Sequence, residues 1–131
     1  MENYTKYQEF IKPDWAPPAW LFGPVWTVLY VLIFISFSYV FYQYLKGKVS
    51  FKFILPFILN LLFNLIFTPI QFGLENNLLA FADIVLVLVT LVWIIKSSWK
   101  KYSWVSVMNI PYLLWVSFAT FLQATVTYLN F

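Results

Sequence analysis

The chain has 131 residues, 63% of them hydrophobic and 10% charged, with a formal net charge of +3. A soluble domain carries about 25% charged residues, so a water-soluble fold of this length is excluded, because it could not hide so much apolar surface. Cysteine, histidine and arginine are all absent, which excludes from this chain a disulfide framework, a thiol nucleophile, a zinc site and a histidine-ligated haem.

The apolar residues come in long unbroken runs, without the alternation that marks an outer-membrane barrel. The expectation is an all-α membrane protein: a four-helix transmembrane bundle forming one domain over residues 1–131. No basic leader followed by a short apolar run and a small-residue cleavage site opens the sequence, so no removable signal peptide is expected.

Residues 1–17 mix charges with aromatic rings and are too short and too charged to span. Tyr4, Tyr7 and Phe10 recur three apart and would lay one face on the headgroups. The segment then runs into WAPPAWLFGPVWTVLY, Trp15 to Tyr30, which holds three of the seven tryptophans and three of the seven prolines. Pro17 and Pro18 suit a helix mouth, where the missing N–H would have no partner anyway. Trp26 and Tyr30 lie four apart, on one face of the helix that follows.

The first span is predicted over about 18–45, free of charge and long enough for the ~20 apolar residues a crossing needs. Lys46, Lys48 and Lys52 close it. The second is predicted over 53–72, ended by Pro69 and Gly73, with Glu75-Asn76-Asn77 as the turn. The third covers 78–95, and the fourth 103–129, with Pro111 as its kink. Six of the eight lysines fall in the loops 46–52 and 96–101. The positive-inside rule puts those loops in the cytoplasm and both termini outside, in a prokaryotic inner (plasma) membrane. The same small, loop-bound charge is a topology signal and not a nucleic-acid footprint.

Few residues are candidates for chemistry. Asp83 is the only ionisable group in mid-span. Either it is a proton-linked or ligand-facing acid, or it is a hydrogen-bonded structural acid near a helix end. Asn60, Phe63, Asn64 and Phe67 follow the i, i+3, i+4, i+7 spacing of one helix face. They form either an aromatic cavity wall with an amide to orient a ligand, or interhelical glue. Trp115, Ala119 and Gln123 are spaced by four, with Tyr112 three before Trp115. A large ring beside a small residue leaves room for a flat ligand, or packs closely through the small residue. Trp99, Tyr102 and Trp104 suit an interfacial belt. No paired carboxylates, Ser-His arrangement or phosphate loop is present, so any chemistry would fall to tryptophan and a bound pigment.

Three motifs carry a resemblance. KPDWAPPAWLFGPVWTVLY resembles the signature KPxWxPPxWxFxPVWTxLY of the translocator protein / tryptophan-rich sensory protein (TspO/MBR) family. LNLLFNLIF at Leu59–Phe67 resembles its LNxxWxxxF, and PYLLWVSFATFLQATVTYLN at Pro111–Asn130 its PYLxWVxFAxxLNxxxxxLN. Asp83 stands where the family often has an acid in its fourth helix.

The resemblance implies a helical membrane bundle, often dimeric, that binds porphyrins, related tetrapyrroles and other hydrophobic small molecules, with roles in transport or stress sensing. It needs no obligatory cofactor. Carried over by position, Tyr7, Pro17, Trp26, Tyr30, Asn60, Phe63, Asp83, Trp115 and Ala119 would line the pocket. In some members the tryptophans matching Trp26 and Trp115 are linked to light-dependent porphyrin breakdown, which makes them the candidate catalytic residues. The family has five spans, and its first would lie before Tyr7, so the first span here corresponds to the family's second. Phe63 replaces the usual tryptophan and Gln123 the usual asparagine, and the C-terminal TYLNF lacks the basic residue of the sterol-contact pattern. Three readings stand: a receptor for porphyrins or related hydrophobic ligands in the bilayer, a structural or accessory subunit of a larger membrane complex that keeps the scaffold without ligand binding, and a light-dependent porphyrin-degrading enzyme. The expected partners are the lipid bilayer, a hydrophobic small molecule, and a homodimer or larger membrane complex.

Overall fold

The computed structural model describes residues 19–68 and 76–129. Five helices form among them: α1 (Ala19–Leu45), α2 (Phe51–Thr68), α3 (Asn77–Ser98), α4 (Ser103–Met108) and α5 (Ile110–Leu129). The expected interfacial segment 1–17, and the expected end of the second span at residue 72, lie outside the described residues.

Three segments are long and apolar enough to cross a membrane: Trp20–Leu45, Asn77–Ser98 and Ser103–Leu129. The 18 residues of α2 rise about 27 Å, just short of the ~30 Å hydrocarbon core. The fourth crossing, expected as one helix over 103–129, is interrupted at Asn109. Pro111 cannot donate to the preceding turn, and its ring crowds the carbonyl four residues back. The chain yields two residues before the proline. The Asn109 side chain then bridges the break, its Nδ2 donating to Val105 O at 2.8 Å and to Ser36 Oγ on α1 at 3.1 Å.

Each helix buries one stripe of an otherwise apolar cylinder. On α1 the buried positions include Phe22, Trp26, Leu29, Ile33, Ser36, Val40 and Gln43, with Phe37 beside Ser36. Their spacing alternates between four and three, the seam of a helix packed nearly parallel to its neighbours. Val28, Val31, Phe34 and Ile35 face outward and are equally apolar, which is the signature of a helix sided by lipid. Lipid gives helices no hydrophobic reason to associate, so van der Waals packing through small residues and hydrogen bonds must hold them. Ser36, Ala80, Ser98 and Ser106 are accordingly fully buried. Ser106 Oγ donates to Ile95 O at 2.8 Å, tying α4 to α3.

α3 is the central rod, with α2 along one side and α5 along the other, while α1 leans on α2 and α4. Asn76 caps α3, accepting from Leu79 N at 2.9 Å. Gln123 Nε2 and Thr127 Oγ1 of α5 donate to Asn77 O at 3.3 and 3.1 Å, tying α5 to the same end of α3. The turn after α1 is set by Gly47 at φ 73°. Gly47 N donates to Tyr44 O and Lys48 N to Gln43 O, both at 2.9 Å, the paired bonds of a Schellman cap. Tyr39 meets Tyr102 at 5.2 Å and Trp104 at 4.8 Å, edge to face, and Phe53 meets Tyr102 at 6.1 Å. These rings join the two lysine loops at one end of the bundle. Trp99 and Trp104 are exposed there, as an interfacial belt requires.

Candidate ligand site

The asparagines of α2 point inward, and a tyrosine stands between them. Tyr30 of α1 donates to Asn64 Oδ1 at 3.0 Å. Asn64 Nδ2 donates to the Tyr112 hydroxyl of α5 at 2.7 Å, and that hydroxyl donates to Asn60 Oδ1 at 3.0 Å. Asn60 Nδ2 reaches Thr90 Oγ1 and Val87 O of α3, both at 3.1 Å. Thr90 Oγ1 closes the ladder on Leu86 O at 2.9 Å. One continuous chain of hydrogen bonds thus links α1, α2, α5 and α3. Asn60, Tyr112 and Thr90 are buried in it, with Asn60 and Tyr112 at 0% exposure, and both ends of each α2 amide are engaged. The amide of Asn60, expected as a candidate for orienting a ligand, is held by the protein itself.

An aromatic cluster lies beside the ladder. Trp26 meets Tyr30 at 5.5 Å between centroids and Tyr112 at 6.4 Å. One turn nearer the start of α1, Phe22 meets Trp115 edge-on at 5.7 Å, and Trp115 meets Phe118 at the same distance. Phe63 and Ala119 are half-buried and pack against the hydrophobic core of the bundle. Tyr7 and Pro17 lie outside the described residues.

Asp83 is buried on α3, in line with Val87 and Thr90. It stands about 6 Å along the axis from Val87. The bonds from Gln123 and Thr127 to Asn77 O set the last turns of α5 beside the start of α3. Six residues, about 9 Å, along each helix from there lie Asp83 and Ala119, with Trp115 one turn further. Asp83 Oδ2 and Trp115 Nε1 are both buried without a hydrogen-bond partner. Buried polar atoms are normally satisfied, so these two are unmet polar groups inside the bundle. Among the described residues no cluster of His, Cys, Asp or Glu could hold a metal ion.

Of the expected pocket residues, Asn60 accepts from the Tyr112 hydroxyl, Trp26 packs on the rings of Tyr30 and Tyr112, Tyr30 bonds Asn64, and Asp83 and Trp115 each bury a polar atom without a partner. The structure adds Thr90, which the sequence reading did not name, and puts Tyr112, read there only as a neighbour of Trp115, between the two asparagines. Their signal was polar arithmetic: two amides in a charge-free span require partners, and a buried tyrosine hydroxyl requires one too. A separate trough of about 470 Å³ runs between α1 and α2, lined by Tyr30, Ile33, Phe34, Phe37, Ser38, Phe41 and Leu61. Only Tyr30 is common to both places.

An apolar-sided helical bundle with a polar ladder and an aromatic cluster inside it defines an integral membrane protein. The chain belongs to the TspO/MBR family, which it matches over residues 1–129. It is 34% identical to the tryptophan-rich protein TspO of Chlorobaculum tepidum over 95% of this chain and 78% of the relative. It is 37% identical to the membrane protein YtaB of Bacillus subtilis, over 95% and 79%. With the translocator protein of Ovis aries it shares 30% identity, over 93% and 73%.

Proposed function

We propose that the protein is a membrane receptor for porphyrins or related flat hydrophobic molecules. The observation that carries this reading is that Asp83 of α3 and Trp115 of α5, on two helices packed together, each bury a polar atom without a hydrogen-bond partner, a carboxyl oxygen and an indole N–H. Trp115 also packs on the rings of Phe22 and Phe118. A flat ligand with polar edge groups would cover the rings and satisfy both atoms, the usual pattern of an apolar site with few convergent polar groups. Trp26 and Trp115 stack on the ligand, Phe63 and Tyr30 flank it, and the ladder through Asn60 keeps the walls in register. The names of the relatives, tryptophan-rich and translocator proteins, agree with a binding or sensing role.

Titrating protoporphyrin into the purified protein in nanodiscs should quench tryptophan fluorescence saturably. Trp115→Phe should weaken the apparent affinity by roughly tenfold, the scale of one stacking contact plus one hydrogen bond, and Trp26→Phe by less. Quenching that does not saturate would overturn the receptor and favour an accessory subunit. Saturable quenching unchanged in both variants would move the site elsewhere.

The lysine loops 46–52 and 96–101 face the cytoplasm in this reading, because positive loops are retained there. The chain contains no cysteine, so one cysteine placed at Lys48 is a clean reporter. It should react with an impermeant maleimide only after the cells are opened. Labelling in intact cells would reverse the topology.

A further inference from the structure

The six lysines of the loops 46–52 and 96–101 are all exposed, and the fold draws the two loops to one place. Lys52 and Lys101 each directly precede a ring of the Phe53–Tyr102 pair, whose centroids lie 6.1 Å apart. Tyr39 of α1 meets Tyr102 at 5.2 Å, so the helix that ends beside Lys46 joins the same rings. Both loops are also fixed. Around Gly47 the capping bonds hold the turn, Val49 is buried, and Ser50 Oγ accepts from Phe53 N at 3.3 Å. In the other loop Tyr102 N donates to Ser98 O at 2.8 Å, and Val105 N to Tyr102 O at 2.9 Å.

Among the described residues no carboxylate offsets this charge. Asp83 is the only one, and it stands about 20 Å along α3 from Lys96. Lys52 lies in the first turn of α2, which holds no acid, the end of a helix where a cation is disfavoured and an anion favoured. Exposed Trp99 and Trp104 set this end of the bundle at headgroup depth. Two fixed cationic loops on one ring cluster therefore lie where lipid phosphates lie, and their mutual repulsion is relieved by an anion that spans both.

We propose that this end of the bundle binds a phospholipid carrying two phosphates, one held by Lys46, Lys48 and Lys52 and the other by Lys96, Lys100 and Lys101. Basic groups near the membrane surface attract anionic headgroups. A headgroup with two phosphates engages the second loop as an intramolecular step, which two separate lipids cannot do. The site is independent of the porphyrin reading, which rests on Asp83 and Trp115. It is also independent of which side the loops face, since both leaflets offer phosphates.

The test is native mass spectrometry of the full chain released from phosphatidylcholine nanodiscs that also hold cardiolipin and phosphatidylglycerol, the latter at twice the concentration so that the phosphates match. Cardiolipin should be retained over phosphatidylglycerol by roughly fivefold or more, the effect of one further lysine near an anionic surface. Lys46→Gln/Lys48→Gln/Lys52→Gln should abolish that preference. So should Lys96→Gln/Lys100→Gln/Lys101→Gln, because either loop alone meets only one phosphate. Lys46→Arg/Lys48→Arg/Lys52→Arg should keep it. Equal retention of the two lipids by the unchanged protein overturns the proposal. So does a preference that survives neutralising either loop, which would place the lipid on the other loop alone.

Discussion

Tyr112→Ala should cost about 4 kcal/mol of stability, and Tyr112→Phe only about 1. The alanine variant removes a fully buried ring that packs on Trp26 at 6.4 Å, and truncating such a ring costs about 3–5 kcal/mol through lost contacts and the cavity left behind. The phenylalanine variant keeps the ring and removes the hydroxyl between Asn64 and Asn60. Interhelical hydrogen bonds in membranes contribute about 0.6 kcal/mol on average and rarely above about 1.7. Asn64 also keeps Tyr30, and Asn60 keeps Thr90, so neither amide is stranded altogether. Unfolding in mixed micelles, followed by circular dichroism as the fraction of SDS rises, would measure both. Equal losses would show that the ladder, not the packed ring, holds the rods together.

That ladder marks where sequence reasoning stops. The spans were legible because charge-free runs of this length have one physical solution in lipid. Which side of each span faces inward was not, because Val28, Val31 and Phe34 are as apolar as Leu29 and Ile33. Only polar residues break that symmetry. Asn60 and Asn64, four apart, therefore betrayed the inner face of α2, while the single hydroxyl of Tyr112 was lost among many aromatic residues. The kink near Pro111 was foreseen, but its position at Asn109 depended on Ser36, a residue on another helix that no local pattern names.

The same asymmetry sets the middle of α1 apart from its ends. At the lysine end its contacts are rings against rings, Tyr39 with Tyr102 and Trp104, which suit an interface that is half wet. Deeper, Ser36 and Tyr30 make directional bonds to Asn109 and Asn64. Nearer Phe22 the described contacts of α1 are again between rings, Trp26 with Tyr112 and Phe22 with Trp115.

Asp83→Leu should then stabilise the empty protein while weakening porphyrin binding. On insertion scales an aspartate at mid-helix costs about 2.5–3.5 kcal/mol, and leucine is favourable by about 0.5. Asp83 lies about 7 Å from the midpoint of α3, so the expected gain is smaller, about 2 kcal/mol. The side chain is 4% exposed and its Oδ2 has no partner, so the substitution removes an unmet polar group and breaks no bond of the ladder. Asp83→Asn, of the same shape, should gain less. Both variants should bind protoporphyrin several-fold more weakly by the same quenching titration, since the ligand loses the group it would satisfy. A fall in stability in Asp83→Leu would mean that the acid is a paired structural group. A gain in stability with unchanged affinity would place the ligand away from Asp83. Opposite signs in the two measurements are what distinguish a residue kept for binding from one kept for folding.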